Sequence, residues 1–205
     1  MPPPLPAVLP PLVLVHGLWD TPRLFDPLVA RLRGRREPLV IPHLPHGLGE
    51  PPLLQLAERL GRHLEGQLGA EGPLDVLGFS MGAVVARTWI QLLGGHRRTR
   101  RFISVAGPHR GTLTAQPIPR AWLPGLADMK IGSPLLRRLN GDLTPLRKID
   151  CRSFFTRADL MVVPGWRAVL PVGPATAVPV WSHPALLSDP RALETLCAAL
   201  LAPEL

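Results

Sequence analysis

The sequence lacks a continuous apolar run long enough to cross a membrane, although 46% of its residues are hydrophobic. Residues 1–11 are rich in proline, and they lack the basic segment and the small-residue cleavage site of a secretory signal. We therefore expect a cytoplasmic protein. The chain has 205 residues, and its hydrophobic content is high enough for a substantial core. We therefore predict one folded domain over residues 1–205, with no linker that divides the chain.

Cysteine is scarce, with only Cys151 and Cys197 in the chain. The two lie far apart in the sequence and do not have the spacing of metal ligands. Cys197 falls on the apolar stripe of a C-terminal helical pattern, which favours a buried thiol over a reactive one. A cytoplasmic location also argues against a disulfide between the two.

Lysine is scarce as well, because Lys130 and Lys148 are the only lysines among 23 basic residues. The basic residues outnumber 15 acidic ones and give a formal net charge of +8. They are scattered, apart from a cluster at residues 96–101, so we expect no nucleic acid partner. We interpret that cluster as a solvated turn, and a peripheral contact with an anionic lipid surface is the alternative.

Strand-like and helical patterns alternate along most of the chain. Continuous apolar runs predict buried strands, and apolar residues at helical spacing predict amphipathic helices between them. The predicted strands cover residues 11–15, 37–41, 74–79, 101–106, 151–156 and 175–181. The predicted helices begin at residues 22, 53, 83, 134 and 190. This alternation is typical of an α/β protein with a mostly parallel, doubly wound sheet and helices on both faces.

Residues 112–149 interrupt the alternation. The segment is rich in proline and holds one clear helical pattern, which begins at Ser133-Pro134 and ends at Asn140-Gly141. Because it lies between two predicted strands, we expect a small cap insertion over the carboxyl edge of the sheet. Some of its apolar residues should line a groove there, the candidates being Trp122, Leu123, Leu126, Met129, Leu135, Leu136 and Leu139.

The pentapeptide at residues 78–82, Gly-Phe-Ser-Met-Gly, joins a predicted strand to a predicted helix. It matches the G-x-S-x-G pattern of a nucleophile elbow, in which a serine sits on a strained turn. Gly78 and Gly82 are needed because neighbouring chain segments come too close for a Cβ atom. The helix that follows presents unpaired N–H groups beside the hydroxyl. Ser80 is therefore the candidate nucleophile.

Three segments together resemble the α/β-hydrolase family, in its small lipase and esterase members. They are the elbow, residues 13–19 (Val-Leu-Val-His-Gly-Leu-Trp) and residues 106–112 (Ala-Gly-Pro-His-Arg-Gly-Thr). A late aspartate and a late histidine follow in the order that this fold uses, Ser then Asp then His. The resemblance covers nearly the whole chain and implies the α/β-hydrolase fold with a Ser-His-Asp triad.

The resemblance places the general base at His183 and its carboxylate partner at Asp159. His183 follows the last predicted strand, and Asp159 follows the strand at residues 151–156. His109, which follows the strand next to the elbow, is the alternative base. In this arrangement His183 takes the serine proton, while Asp159 orients the imidazole and stabilises its cation.

The resemblance also implies an oxyanion hole made by two backbone N–H groups. One belongs to Met81, the residue after the nucleophile, and the other to Leu18, in the loop after the first predicted strand. Trp19 and His109 are candidates for the wall of the substrate pocket. No metal ion and no cofactor is implied.

These residues predict a serine hydrolase that cleaves carboxylic esters through an acyl-enzyme intermediate, with a small-molecule acyl ester or a lipid as substrate. The same triad can pass the acyl group to another acceptor, so an acyltransferase or a thioesterase is the alternative. A third interpretation is a non-catalytic binding protein that kept the fold, which the presence of Ser80, Asp159 and His183 disfavours.

Overall fold

One six-stranded sheet runs through the part of the chain that this computed structural model describes, residues 9–202. The strands are β1 (Leu12–Val15), β2 (Leu39–Val40), β3 (Leu74–Phe79), β4 (Thr99–Val105), β5 (Asp150–Phe155) and β6 (Ala175–Ala177). All neighbours pair in parallel, in the order β2-β1-β3-β4-β5-β6. Residues 1–8, with most of the proline-rich N-terminus, and residues 203–205 lie outside the described residues.

Helices cover both faces of the sheet. They are α1 (Asp26–Leu32), α2 (Leu53–Leu68), α3 (Met81–Leu92), α4 (Pro124–Asp128), α5 (Pro134–Gly141) and α6 (Pro190–Leu201). On one face α3 packs against α2 and α5, and on the other face α1 packs against α6. Each face has its own apolar core, since the central strands β1 and β3 are buried on both sides. No helix within residues 9–202 has both the length and the apolar character that crossing a bilayer requires.

The chain reverses its direction across the sheet at β1. After β1 it continues to β2 on one side, and it then returns to β3 on the other side. Doubly wound sheets bind ligands at the carboxyl ends of the strands where the order reverses. The loops that follow β1 and β3 meet at this point, and they carry His16 and Ser80. The fold is therefore the predicted doubly wound α/β fold.

Two strands are shorter than the sequence pattern predicts. β2 holds only two residues in place of residues 37–41, and β6 ends at Ala177 in place of residue 181. Pro38 and Pro179 stand in those runs, and proline has no N–H to donate to a neighbouring strand. In contrast, α3 begins earlier than predicted, directly after Ser80.

The basic cluster at residues 96–101 is not the solvated turn that the sequence led us to expect. Strand β4 takes up its last three residues, and Arg101 is only 1% exposed. The guanidinium of Arg101 donates to two carbonyl groups at the end of α6. Arg98 donates to three carbonyl groups of the loop after α2. Much of the cluster thus stabilises the amino edge of the sheet.

The segment 112–149 divides into two parts with different surroundings. Residues 112–130 contain α4, which the sequence pattern did not predict, and they bond to the loops that follow β2 and β5. Residues 131–149 contain α5, whose apolar side chains enter the core beside α3. There the buried Arg87 of α3 donates to the carbonyl oxygen of Leu139 at 2.8 Å. Only the first part therefore lies where a cap was expected, and the second part is the crossover from β4 to β5.

The two cysteines are unpaired and buried. For Cys197 this is the environment that its helical stripe predicts. Burial raises the pKa of the Cys151 thiol and that of the Cys197 thiol. Because the thiolate is the reactive form, neither cysteine is activated as a nucleophile.

Candidate active site

Ser80 lies on a sharp turn between β3 and α3. Its backbone has a φ of +54°, a left-handed conformation that is costly for a residue with a side chain. A Cβ atom on Gly78 would lie 2.4 Å from the backbone of Ala83. A Cβ atom on Gly82 would lie 2.3 Å from two carbonyl oxygens at the end of β1. The turn therefore requires both glycines, for the steric reason that the G-x-S-x-G pattern suggested.

Asp159 and His183 form a buried pair in the loops that follow β5 and β6. Nδ1 of His183 donates to Oδ2 of Asp159 at 2.7 Å. The other carboxylate oxygen accepts the backbone N–H groups of Met161 and Val162, each at 2.8 Å. With the proton held on Nδ1, the neutral ring presents Nε2 as an acceptor. The pair is thus arranged to take up a proton at Nε2.

Ser80 and His183 line one cavity of about 410 Å³ at the carboxyl edge of the sheet. The imidazole of His183 packs against the ring of Phe79, with the centroids 4.7 Å apart. Most of the wall is apolar and comes from three loops, with Leu18, Leu24, Ile118, Leu123, Leu126, Met129 and Met161 among its side chains. Such a cavity can hold an apolar group beside a hydroxyl and an imidazole.

The loop after β1 passes directly beside the serine. A Cβ atom on Gly17 would lie 3.0 Å from the Cβ atom of Ser80. Leu18 and Trp19 follow Gly17 and both line the cavity. Met81 is the first residue of α3, where backbone N–H groups have no carbonyl partner within the helix. The two expected oxyanion donors, Leu18 and Met81, are therefore neighbours of Ser80, and Trp19 lies where a pocket wall was expected.

His109 does not line the cavity, in contrast to the expectation from its position after β4. Its side chain is fully buried, and its Nε2 lies 2.6 Å from Oγ of Ser104. Burial lowers the pKa of His109 well below its ordinary value, and the Arg87 cation lowers it further. His109 is thus a neutral interior side chain rather than part of the cavity wall.

Two polar residues near the site had no clear signal in the sequence. Asp20 lines the cavity, and burial raises the pKa of its carboxyl group against the opposing influence of His183 and His46. His46 contacts the loop after β1 from the loop after β2. The only sequence signal for Asp20 is its place two residues after Leu18, and His46 lies in a loop without any periodic pattern.

Three histidines gather behind the loop that carries Leu18. The ring centroid of His16 is 5.8 Å from that of His43 and 5.5 Å from that of His46. The ring nitrogens of His16 and His46 bond to backbone groups. Across residues 9–202, no set of three or more His, Cys, Asp or Glu side chains has an arrangement that could hold a metal ion.

Comparison with known proteins agrees with this fold. The model of the alpha/beta hydrolase family matches residues 12–203. No curated protein sequence matches the chain at a significant level. The mature form of the Bacillus licheniformis lipase BlEst2 has a similar structure, with a TM-score of 0.75 and 13% identity over 95% of this chain and 93% of that one.

Two further solved structures are similar over most of their length. The metagenomic carboxyl esterase MGS0156 has a TM-score of 0.71 and 16% identity, over 96% of this chain and 76% of that one. A pyrethroid hydrolase from Sphingobium faniae JZ-2 has a TM-score of 0.67 and 15% identity, over 95% of this chain and 98% of that one. At such identities these similarities show a shared fold.

Proposed function

The chain belongs to the alpha/beta hydrolase family, and we propose that it is a serine hydrolase that cleaves carboxylic esters with an apolar acyl group. The observation that carries the proposal is the bonded Asp159–His183 pair, which shares one apolar cavity with Ser80. Acyl transfer needs this combination of a nucleophile, a base and a carboxylate that orients the base. The names of the structural neighbours, a lipase and a carboxyl esterase, point to the same class.

In the acylation step, the hydroxyl of Ser80 attacks the ester carbonyl. Nε2 of His183 takes the hydroxyl proton as the new C–O bond forms, and Asp159 stabilises the imidazolium through the Nδ1–H bond. The N–H groups of Leu18 and Met81 bind the oxyanion. When the tetrahedral intermediate collapses, His183 gives its proton to the departing alcohol, and the acyl group stays on Ser80.

In the deacylation step, water replaces the alcohol. His183 removes one proton from the water, and the resulting hydroxide adds to the acyl carbonyl carbon. The bond from the acyl carbon to Ser80 then breaks, and His183 returns its proton to the serine oxygen. The carboxylic acid leaves, and the enzyme is restored without any net gain or loss of protons.

Replacing the serine tests the reaction class. Ser80→Ala removes the nucleophile and should lower kcat for p-nitrophenyl butyrate by roughly 10⁴-fold or more. Ser188→Ala, at an exposed serine whose hydroxyl donates to the Pro184 carbonyl group, is the matched control and should leave kcat unchanged. If Ser80→Ala keeps activity within about tenfold of the unchanged protein, the proposal is wrong.

The apolar wall formed by residues 112–130 suggests where the acyl chain binds. Leu123 lines the cavity, whereas its neighbour Trp122 is 75% exposed and does not. Leu123→Trp should therefore fill part of the cavity and shift the preferred p-nitrophenyl ester towards shorter acyl chains. Trp122→Ala should leave the preference as it is. An unchanged preference in Leu123→Trp would place the acyl chain against another wall.

We also propose that the mouth of the cavity contacts an anionic lipid surface. Four exposed apolar side chains, here called the apolar rim, lie on the three loops that form the cavity: Trp19, Leu113, Leu160 and Met161, with exposed fractions of 60%, 51%, 81% and 46%. Leu113 donates its backbone N–H to the carbonyl group of Val163, which joins its loop to the loop that carries Leu160 and Met161. Exposed apolar patches of this kind mark contact sites. The exposed Arg157 beside the rim adds attraction for anionic headgroups.

Sedimentation with vesicles of phosphatidylglycerol and phosphatidylcholine tests this contact. The double variant Leu113→Ser with Leu160→Ser should bind several-fold less than the unchanged protein, with the hydrolysis of dissolved esters retained. Leu93→Ser is the matched control, because Leu93 is an exposed leucine at the opposite end of α3. Equal binding by both variants would show that the rim does not contact lipid.

A further inference from the structure

The backbone on the two sides of Leu18 is held by two different histidines. The first is His16, whose Nδ1 donates to the carbonyl oxygen of Gly17 at 3.0 Å. That oxygen shares a peptide plane with the N–H group of Leu18. The His16 bond therefore restricts rotation of the N–H group that the proposed function assigns to the oxyanion hole.

The second histidine is His46, which holds the next peptide plane. Its Nε2 accepts the backbone N–H group of Trp19 at 2.6 Å. Trp19 has a φ of +61°, which is costly for a residue with a side chain. A conformation of this kind persists only where the surroundings enforce it. The His46 bond is the contact on the Trp19 N–H group that enforces it.

The two imidazoles share a third residue, Leu44. Its N–H group donates to Nε2 of His16 at 3.1 Å, and its carbonyl oxygen accepts Nδ1–H of His46 at 3.0 Å. Both rings are buried, with exposed fractions of 1% for His16 and 6% for His46. Each ring thus donates through Nδ1 and accepts through Nε2, which makes both of them neutral and fixed in orientation.

We propose that His46 is a positioning residue for the oxyanion hole, and that it acts by fixing the Leu18–Trp19 peptide through the Trp19 N–H group. The inference rests on the proposed function, since it assigns a role within the same site. His46 is not among the side chains that line the cavity. It therefore acts through the loop backbone and not on the substrate.

This role affects the transition state more than the bound substrate. An oxyanion donor is effective only when it is already aimed at the position that the charged oxygen will take. If the Trp19 N–H group loses its acceptor, the strained Trp19 can relax. The backbone of Leu18 is then held on one side only, by the His16 bond, and its N–H group is less firmly aimed. The apolar wall of the cavity remains in place. The loss therefore appears in kcat, and KM changes little.

Two substitutions at His46 separate its two hydrogen bonds. His46→Gln keeps an acceptor oxygen at the reach of Nε2, so the Trp19 bond can be retained. The shorter amide of His46→Asn reaches only the position of Nδ1. Its NH₂ group can keep the bond to the Leu44 carbonyl oxygen, but the bond from the Trp19 N–H group is lost. We expect His46→Asn to lower kcat by about 10- to 100-fold with KM within about twofold, and His46→Gln to stay within about threefold of the unchanged enzyme.

Inhibition by a trifluoromethyl ketone distinguishes the positioning role from a merely structural one. Its adduct with Ser80 carries an oxyanion, so its inhibition constant should rise in His46→Asn by about the same factor as kcat falls. The binding of the product alcohol, which places no charged oxygen in the oxyanion hole, should change little. The midpoint of thermal unfolding serves as a check that both variants are folded.

The possible outcomes separate this inference from the proposed function. Equal losses in His46→Asn and His46→Gln, or a change in KM alone, would overturn the positioning role. Full activity in His46→Asn would overturn it as well. If Ser80→Ala is inactive while His46→Asn is fully active, only this inference fails. If Ser80→Ala is active, the proposed function fails, whatever His46 does.

Discussion

Three hydrogen bonds at Asp159 determine which nitrogen of His183 faces the cavity. Two backbone N–H groups hold one carboxylate oxygen, so the other oxygen is directed at Nδ1 of His183. An ionised carboxylate can only accept, which keeps the imidazole proton on Nδ1 and leaves Nε2 as an acceptor. The carboxylate thus sets the tautomer before any substrate binds.

Asp159→Asn tests this function of the carboxylate. The amide oxygen can still accept the two backbone N–H groups, so the fold should be retained. The amide NH₂ group favours the opposite tautomer of His183, and kcat should fall by roughly 10³- to 10⁴-fold, less than in Ser80→Ala. Asp142→Asn, at an exposed aspartate, is the control for a lost carboxylate. Esterase assays that find the two variants equally active would contradict the assignment of Asp159.

The proximity of Ser80, Asp159 and His183 could be predicted from the sequence, because a motif or a strand end defines each position. Asp20 and His46 could not, since they act through loops that meet only because β1 and β2 are neighbours in the sheet. His109 also follows a strand, yet its ring turns inward to Ser104. A position at a strand end does not fix the direction of a side chain.

Among the elements, the first part of the segment 112–149 contributes much of the cavity wall. Residues 112–130 supply several apolar side chains to the wall, and Thr112 ties them to the loop of Asp159 through the Met161 carbonyl group. This part is short, and Trp19 at the mouth of the cavity remains largely exposed. A lid that closes the cavity in water would have to cover this mouth.

Dissolved esters should therefore reach Ser80 without any lipid–water interface. We expect tributyrin to be hydrolysed below its solubility limit at a rate that rises smoothly with concentration. The measurement is the rate across that limit in a stirred assay. A sharp increase at the limit, with negligible activity below it, would show that residues 112–130 close over the cavity in solution.

The order of strands and helices could be predicted from apolar patterning, whereas the ends of several elements could not. β2 begins only after Pro38, and β6 ends before Pro179, because proline lacks a backbone donor, although the apolar pattern extends further. The role of α5 could not be predicted either. Its leucines would suit the wall of a cap groove as well as a core between helix and sheet. In the structure they enter the core beside α3, where the buried Arg87, which lies far away in the sequence, bonds to the carbonyl group of Leu139.

Across the molecule, one buried ion cluster joins the two ends of the chain to the sheet. Asp75, at the start of the elbow strand, accepts hydrogen bonds from Arg36 at 2.6 Å and Arg100 at 2.8 Å. Arg36 also donates to the carbonyl groups of Pro10 and Leu200. The side chains of Arg36 and Asp75 are almost fully buried. Asp75 thus supplies a counter-charge for the buried Arg36.

Asp75→Ala should lower the free energy of unfolding by about 3–5 kcal/mol, because it leaves the buried Arg36 without its counter-charge. Urea denaturation measures this loss. The double variant Asp75→Leu with Arg36→Met removes both charges, and it should recover part of the lost stability. A loss below about 1 kcal/mol in Asp75→Ala would show that this cluster contributes little.

The buried histidines make the stability of the fold depend on pH. The pKa of His109 and that of His16 are lowered mainly by burial, so the unfolded chain binds protons below about pH 6.5 that the folded chain does not. The free energy of unfolding should therefore fall as the pH drops below about 6.5. His109→Gln should reduce this slope by up to ~1.4 kcal/mol per pH unit in urea titrations. Equal slopes would contradict a neutral, buried His109.

Labelling with a fluorophosphonate, followed by peptide mass mapping, tests most directly whether Ser80 is a nucleophile activated by His183 and Asp159. We predict one phosphonyl group per chain, attached to Ser80, with esterase activity lost in step with labelling. In His183→Ala, labelling should slow by orders of magnitude although Ser80 is still present. Esterase activity that persists after complete labelling of Ser80, or labelling at the same rate in His183→Ala, would contradict the proposed mechanism.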